Sequence, residues 1–188
     1  MKLQLLPIGE VDHELLGELR SRLPLLLGLP CEVLSTKLDP AATFHQERGQ
    51  YHSSELLHRM QSLASPECGR LLGVAAVDLY IPILTFVFGE AQIGGPCAVV
   101  STHRLRQEFY GLPPDHGLLG QRLLKEAVHE LGHTFDLIHC HDYQCAMSAS
   151  HAVEWIDLKE STLCTACQAQ LTAISAKLIS NQAPSGVR

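Results

Sequence analysis

The chain has 188 residues, of which 46% are hydrophobic, and carries a formal net charge of −6. This length and composition predict one globular domain with enough apolar side chains for a core. The absence of a basic block argues weakly against a nucleic-acid partner, and no apolar run approaches the roughly 18 residues that cross a bilayer, which argues against a membrane protein.

The N-terminus does not have the pattern of a secretory signal peptide, because Pro7 and Gly9 interrupt the short apolar run that follows one lysine. The seven cysteines are an odd number, which disfavours a disulfide framework and favours metal binding in a chain that is not exported. We therefore expect a cytoplasmic protein, and a monomer is the expected state.

The first part of the chain predicts alternating strands and helices. Apolar residues with a helical period, such as Leu15, Leu16 and Leu19, indicate an amphipathic helix that Pro24 should end or kink. Short apolar runs without that period indicate strands. The predicted strands cover residues 2–8, 31–38 and 71–79, the predicted helices cover 11–27 and 51–64, and a polar loop covers 39–50.

An irregular pair of strands is predicted over residues 85–102. Gly89 suggests a bulge, and Gly94, Gly95 and Pro96 indicate a turn between the two strands. An exposed edge here could hold an extended peptide by strand addition. An ordinary edge strand without a ligand is the other interpretation.

The second part of the chain predicts two long helices. Asp115 is a suitable N-cap for the first. A loop is expected after Met147, and the last helix should cover about 161–180. The apolar face of the first of these helices consists of Leu119, Leu123, Leu124, Ala127, Val128 and Leu131.

A His-Glu-x-x-His motif lies near the end of the first of these helices. His129 and His133 are four residues apart and so share one helix face, where two imidazoles can bind one metal ion. Glu130 is rotated by roughly 100° from His129, so its carboxylate can reach a metal-bound water without being a ligand. The alternative for the bare motif is a pair of core histidines beside a solvated glutamate.

His139 supplies a third imidazole six residues after His133, which completes the ligand set of a hydrolytic zinc site. For His139 to reach the same ion, the helix must end soon after His133 and the chain must turn back sharply. The turn is expected at Asp136, where the longer pattern His-Glu-x-x-His-x-x-Gly-x-x-His has glycine. Aspartate adopts a left-handed backbone more readily than most residues, so we predict a positive φ at Asp136. A helix that continued through residue 136 would exclude the three-histidine site.

This ligand set predicts a hydrolytic mechanism. Zinc lowers the pKa of its bound water to roughly 7, so hydroxide is available at neutral pH. Glu130 would take the proton from this water and pass it to the leaving amine after attack on a peptide carbonyl. A peptide or protein is the expected substrate.

Four cysteines form a second candidate metal site. Cys140 and Cys145 make a C-x4-C pair, and Cys164 and Cys167 make a C-x2-C pair, expected in the first turn of the last helix. Four unrelated buried thiols are the alternative. Because Cys140 directly follows His139, a structural zinc here would anchor the loop that carries the third histidine. The remaining cysteines are expected to be small core residues: Cys31, Cys68 and Cys97.

Together these residues resemble the archaemetzincins, a branch of the metzincin metallopeptidases with the pattern HExxHxxGxxHC-x4-C-x-M followed by CxxC. Here Asp136 stands in place of the glycine, and sixteen rather than about seventeen residues separate Met147 from Cys164. The resemblance implies a metzincin-like α/β (α+β) fold with a twisted mixed sheet, packing helices and a long cleft. It also implies that Met147 packs beneath the catalytic metal and that residues 86–102 are the family's substrate-binding edge.

We expect a single metallopeptidase domain over residues 1–188, with an N-terminal lobe over about 1–135 and a smaller C-terminal lobe over about 136–188. Two zinc ions are expected, one catalytic and one structural. A non-catalytic zinc-binding interaction protein and a zinc hydrolase of non-peptide amides are the alternative functions. Glu130 argues against the first, since a binding module needs no general base, and nothing in the sequence excludes the second.

Overall fold

The structure is a computed structural model and describes residues 1–64 and 69–182. The strands are β1 (Leu3–Ile8), β2 (Cys31–Val33), β3 (Phe44–His45), β4 (Gln50–His52), β5 (Arg70–Ala75), β6 (Leu79–Tyr80), β7 (Gly89–Ala91) and β8 (Cys97–Ser101). The helices are α1 (His13–Leu27), α2 (Ser53–Gln61), α3 (His116–Thr134), α4 (Val153–Leu158) and α5 (Thr165–Gln182). Short 3-10 segments cover Ala41–Thr43, His103–Leu105 and Gln107–Tyr110. In the described part of the chain, no helix is long and apolar enough to cross a membrane.

Five strands form a mixed sheet in the order β2-β1-β5-β8-β7. The pairs from β2 to β8 are parallel, whereas β7 pairs antiparallel with β8 and lies at the edge. Every residue of β5 and β8 is buried, because helices or loops cover both faces of these central strands. The strands β3, β4 and β6 form a second, smaller sheet.

The five-stranded sheet separates two apolar clusters. Leu5 and Leu72 pack with α1 and α3 in the larger cluster, whereas Leu6 and Leu71 pack with α2 in the smaller one. Neighbouring residues enter different clusters because side chains alternate between the two faces of a strand. Met147 and other residues of the last third of the chain belong to the larger cluster. The two predicted lobes therefore share a core, and their boundary near residue 135 stays a prediction.

Pro24 does not end α1, so that part of the prediction is wrong. The helix begins after its N-cap Asp12 and continues three residues past Pro24 to Leu27. Proline has no backbone N–H, so one helical hydrogen bond is missing at this residue. The last turn is still closed by the Gly28 N–H, which donates to the Pro24 carbonyl at 3.0 Å. Gly28 then ends the helix with a left-handed backbone, at φ 68°.

Several short elements were missed by the sequence analysis. The predicted loop over 39–50 contains a 3-10 segment, β3 and the first residue of β4, and the loop expected after Met147 contains α4. These elements have two to six residues, which is too short for a period of 3.6 or 2 to be recognised. The last helix begins at Thr165, about four residues later than expected.

Candidate active site

The helix α3 has the boundaries that its capping residues predict. The side chain of Asp115 accepts a hydrogen bond from the Leu118 N–H at 2.9 Å, which confirms it as the N-cap. At the other end, the Leu137 N–H bonds back to the Gly132 carbonyl at 3.1 Å. Asp136 has φ 63° and, among the described residues, is the one non-glycine residue with a positive φ. The predicted left-handed turn at Asp136 is confirmed.

This turn brings His139 beside His129 and His133. The ring centroids are 4.7 Å apart for His129 and His133, 5.3 Å for His129 and His139, and 5.0 Å for His133 and His139. One nitrogen of each ring lies within 4.8 Å of a nitrogen of the other two. The three rings therefore converge on a space that one metal ion can occupy.

Hydrogen bonds decide which ring nitrogens face this space. His129 Nδ1 donates to the Ala146 carbonyl at 2.9 Å, and His133 Nδ1 donates to the Leu137 carbonyl at 2.7 Å. The two Nε2 atoms lie 3.2 Å apart. Burial lowers the pKa of His133, and lowers that of His129 well below its usual value, so both rings are neutral and both Nε2 atoms carry a lone pair. Two facing lone pairs repel each other unless they share a cation, so this arrangement fits a zinc ion.

Glu130 lies beside the edge strand β7. Its side chain is buried, with a relative exposure of 6%, so the alternative of a solvated glutamate does not describe it. Burial and then the negative charge of Glu126 raise the pKa of Glu130 well above its ordinary value. A Cβ built on Gly89 would lie 2.6 Å from Glu130 Cγ, so this carboxylate occupies the space that a side chain at residue 89 would need.

The four sulfur atoms of Cys140, Cys145, Cys164 and Cys167 form a second cluster, in which all lie within 4.8 Å of one another. Cys140 Sγ and Cys164 Sγ are 3.8 Å apart, which is too far for a disulfide bond of about 2.05 Å. A tetrahedron with zinc–sulfur bonds of about 2.3 Å has edges of about 3.8 Å, so the sulfur positions fit one zinc ion.

The start of α5 supports a thiolate in this cluster. Cys164 lies just before the helix rather than within its first turn, whereas Cys167 is in the first turn as predicted. The backbone N–H of Cys167 contributes most to lowering the pKa of Cys164, to about 7. Outside the cluster, Cys97 is buried and Cys31 is partly buried, and Cys68 lies outside the described residues.

Backbone contacts connect the two clusters. Cys140 directly follows His139, and its N–H donates to the Met147 carbonyl at 3.0 Å. Met147 is fully buried, and its Sδ occupies the space that a Cβ on Gly132 of α3 would need. The loop of the cysteine cluster is therefore packed directly on the helix that carries His129 and His133.

The sequence analysis missed two charged residues next to this site. Lys159 Nζ lies 2.7 Å from Glu126 Oε1, and the side chains are 0% and 4% exposed. Glu126 precedes His129 by three residues and therefore lies on the same face of α3. An acidic residue on the buried face of a predicted helix requires a buried partner, and this signal could have been noticed.

Known proteins share the sequence pattern and the fold of this chain. The model of peptidase family M54 matches residues 20–173. The chain is 40% identical over 172 residues to an archaemetzincin of Methanocaldococcus jannaschii, covering 91% of this chain and 93% of that protein. The chain belongs to peptidase family M54. At the level of this family, it is a zinc metallopeptidase.

Solved structures of similar proteins confirm the predicted α/β fold. The crystal structure of an archaemetzincin from Methanopyrus kandleri has a TM-score of 0.80 and 35% identity, covering 94% of this chain and 96% of that one. The structure of a zinc-dependent peptidase from Methanocorpusculum labreanum has a TM-score of 0.81 and 30% identity, covering 90% of this chain and 99% of that one. The mixed sheet, its helices and the C-terminal cysteine cluster of this M54 chain thus agree with the expected fold.

The contact between Gly89 and Glu130 gives a first testable prediction. We expect Gly89→Ala to lower the free energy of unfolding by about 1–3 kcal/mol, because the new methyl group would overlap both Glu130 and the Val99 carbonyl at 2.6 Å. Denaturant unfolding measures this change. Gly17→Ala in α1 is the matched control, since nothing lies within 4 Å of a Cβ there, and it should stabilise the protein by up to about 1 kcal/mol. Equal stability of Gly89→Ala and the parent would contradict the tight contact.

Proposed function

We propose that this M54 chain hydrolyses peptide bonds, with a zinc ion held by His129, His133 and His139 and with Glu130 as the general base. The observation that carries the proposal is the pair of Nε2 atoms that face each other at 3.2 Å while both Nδ1 atoms are bonded to carbonyls. Bound in this position, zinc would supply a water whose pKa is lowered to roughly 7 and would polarise a carbonyl.

The position of Glu130 suits it for proton transfer. Glu130 would accept the proton of the attacking water at its carboxylate and then donate that proton to the nitrogen of the leaving amine. Burial raises the pKa of Glu130, which makes its carboxylate a stronger proton acceptor than that of an exposed glutamate. A group at this position, next to an edge strand, can contact both the water and a substrate backbone.

The edge strand β7 supports binding of an extended peptide. The Ser101 N–H donates to the Phe88 carbonyl at 2.8 Å, and the Gln92 N–H donates to the Cys97 carbonyl at 3.0 Å. Because alternate residues of an antiparallel strand bond to the same neighbour, the backbone groups of Gly89 and Ala91 point away from β8. We infer that these groups would bind a substrate peptide by strand addition, with a carbonyl of the peptide beside Glu130.

We further propose that Cys140, Cys145, Cys164 and Cys167 hold a second, structural zinc ion. The separation of 3.8 Å between two of the sulfur atoms and the convergence of all four within 4.8 Å of one another support this assignment. The C-terminal lobe predicted over about 136–188 would then be organised by this ion. Location in the cytoplasm and a monomeric state stay predictions.

Metal removal tests the proposed function. We expect elemental analysis to find two zinc ions per chain, and we expect the zinc-loaded protein to cleave members of a peptide library that the chelator-treated protein leaves intact. Re-addition of zinc should restore cleavage. Peptide cleavage that persists without metal would contradict the proposal, as would cleavage of non-peptide amides with no cleavage of any peptide.

A further inference from the structure

A buried ion pair lies directly behind the histidine cluster. Lys159 Nζ and Glu126 Oε1 are 2.7 Å apart, in an electrostatic contact rather than a well-directed hydrogen bond. Lys159 Nζ also donates to the Ser148 carbonyl at 3.1 Å. Two charged side chains lose their hydration when they are buried, so an ion pair of this kind contributes little net stability compared with apolar side chains. Its presence here points to a role other than stability.

The contacts of this pair and of His129 connect α3 to the carbonyls on both sides of Met147. On one side of Met147, the Ala146 carbonyl accepts a hydrogen bond from His129 Nδ1 at 2.9 Å. On the other side, the Ser148 carbonyl accepts from Lys159, which contacts Glu126 on α3. The two carbonyls that flank Met147 are thus both held by side chains that belong to α3 or contact it.

These contacts come from neighbouring positions on the surface of α3. Glu126 and His129 are three residues apart, as are His129 and Gly132, so each of these pairs is adjacent on the helix, and the three positions together span about 120° of its circumference. Three contacts hold the turn at residues 146–148 against α3. Glu126 holds this turn through Lys159, and His129 holds it through the Ala146 carbonyl. Gly132 leaves room for Met147 Sδ. Loss of one of these contacts would allow the turn to shift along the helix and the His129 ring to lose its acceptor.

We propose that Lys159 and Glu126 are positioning residues of the histidine site. By holding the Ser148 carbonyl, they keep the Ala146 carbonyl in place, and this carbonyl fixes the ring of His129 with Nε2 directed at the metal space. The inference rests on the proposed function, because it assumes that the histidines bind zinc. Partners that orient a metal-binding histidine typically change metal affinity by about 10- to 100-fold when they are removed.

The test replaces both members of the pair, so that no unpaired charge remains near the metal space. Glu126→Gln/Lys159→Met removes one negative and one positive charge, so the net charge does not change. A change in Co²⁺ affinity in this variant therefore reports a change in the position of the histidine ligands rather than electrostatic repulsion of the ion. The histidine site of the zinc-loaded protein is emptied with a mild chelator and titrated with Co²⁺. The visible spectrum reports the geometry of the histidine ligands, and thiolate charge-transfer absorption would reveal cobalt in the cysteine site.

We expect the double variant to bind Co²⁺ at least about tenfold more weakly than the parent, with an altered spectrum. Its unfolding midpoint should equal or exceed that of the parent, because buried ion pairs are often replaced by neutral groups without loss of stability. If this variant does not fold, Glu126→Leu/Lys159→Leu provides the same comparison.

A second ion pair, between α3 and α4, serves as the matched control. Arg122 binds Asp157 with two hydrogen bonds of 2.7 and 2.6 Å, one turn before Glu126 on α3. Its third hydrogen bond goes to the Leu105 carbonyl at 2.9 Å rather than to the Ser148 carbonyl. Arg122→Met/Asp157→Asn should therefore leave Co²⁺ affinity unchanged. Parental affinity and spectrum in the Glu126/Lys159 variant, or an equal loss in both double variants, would overturn the inference. Failure of the parent to bind Co²⁺ through its histidines would instead contradict the proposed function.

Discussion

Glu130→Gln is expected to lower kcat/KM for peptide hydrolysis by about 10²–10⁴-fold, because it removes the group that transfers the proton. The amide has nearly the shape of the carboxyl group, so the contact with Gly89 should be retained. The candidate metal ligands are the three histidines, and Glu130 is not one of them, so zinc content should not change. Cleavage assays and elemental analysis on the same preparation measure both quantities.

The matched control is Glu47→Gln, which makes the same chemical change at an exposed residue far along the chain from the motif. It should retain the activity and zinc content of the parent. Undiminished hydrolysis by Glu130→Gln would refute the proposed role of this residue. Loss of zinc together with activity would show that Glu130 contributes to metal binding rather than to proton transfer.

Cys164→Ser is expected to weaken zinc binding at both clusters. The direct effect is loss of one sulfur ligand, since Cys164 Sγ lies 3.8 Å from Cys140 Sγ in the cluster. The indirect effect reaches His139, because this residue directly precedes Cys140. We expect the affinity of the histidine site to fall by about 10- to 100-fold, the range found when a support of a metal ligand is removed. Zinc retained after dialysis against graded chelator concentrations measures this loss.

Cys31→Ser makes the same substitution outside both clusters and is the matched control. Cys31 is partly buried and is not one of the four cysteines whose sulfur atoms converge, so its replacement removes no candidate metal ligand. Both zinc ions should remain in this variant. An unchanged affinity of the histidine site in Cys164→Ser would show that the two clusters are independent.

The sequence predicted the parts of the fold that depend on long or local patterns. The helix α3 has an apolar period over many residues and an aspartate N-cap, and both its face and its start were predicted. The left-handed residue at Asp136 followed from the need for a sharp turn before His139 and from the glycine that the longer His-Glu-x-x-His-x-x-Gly-x-x-His pattern has at this position. Local chemistry was sufficient in these two cases.

Contacts between distant segments could not be predicted in the same way. The pairing of Lys159 with Glu126 joins residues that are 33 positions apart, and neither residue lies in a local sequence pattern that identifies the other as its partner. The carbonyl partners of His129 and His133 were missed because backbone carbonyls have no sequence signature. The helix α4 has only six residues, and tertiary packing rather than an apolar period determines it.

The contact between Glu130 and Gly89 also has a consequence for folding. The residues around Gly89 are Val87, Phe88, Glu90 and Ala91, and each has a Cβ that would meet the Glu130 side chain if β7 moved along β8 by one or two residues. A short strand with three residues has few ladder bonds to fix its alignment. Glu130 therefore disfavours the neighbouring alignments of β7, so the carboxylate proposed to do the chemistry also favours one alignment of the sheet edge.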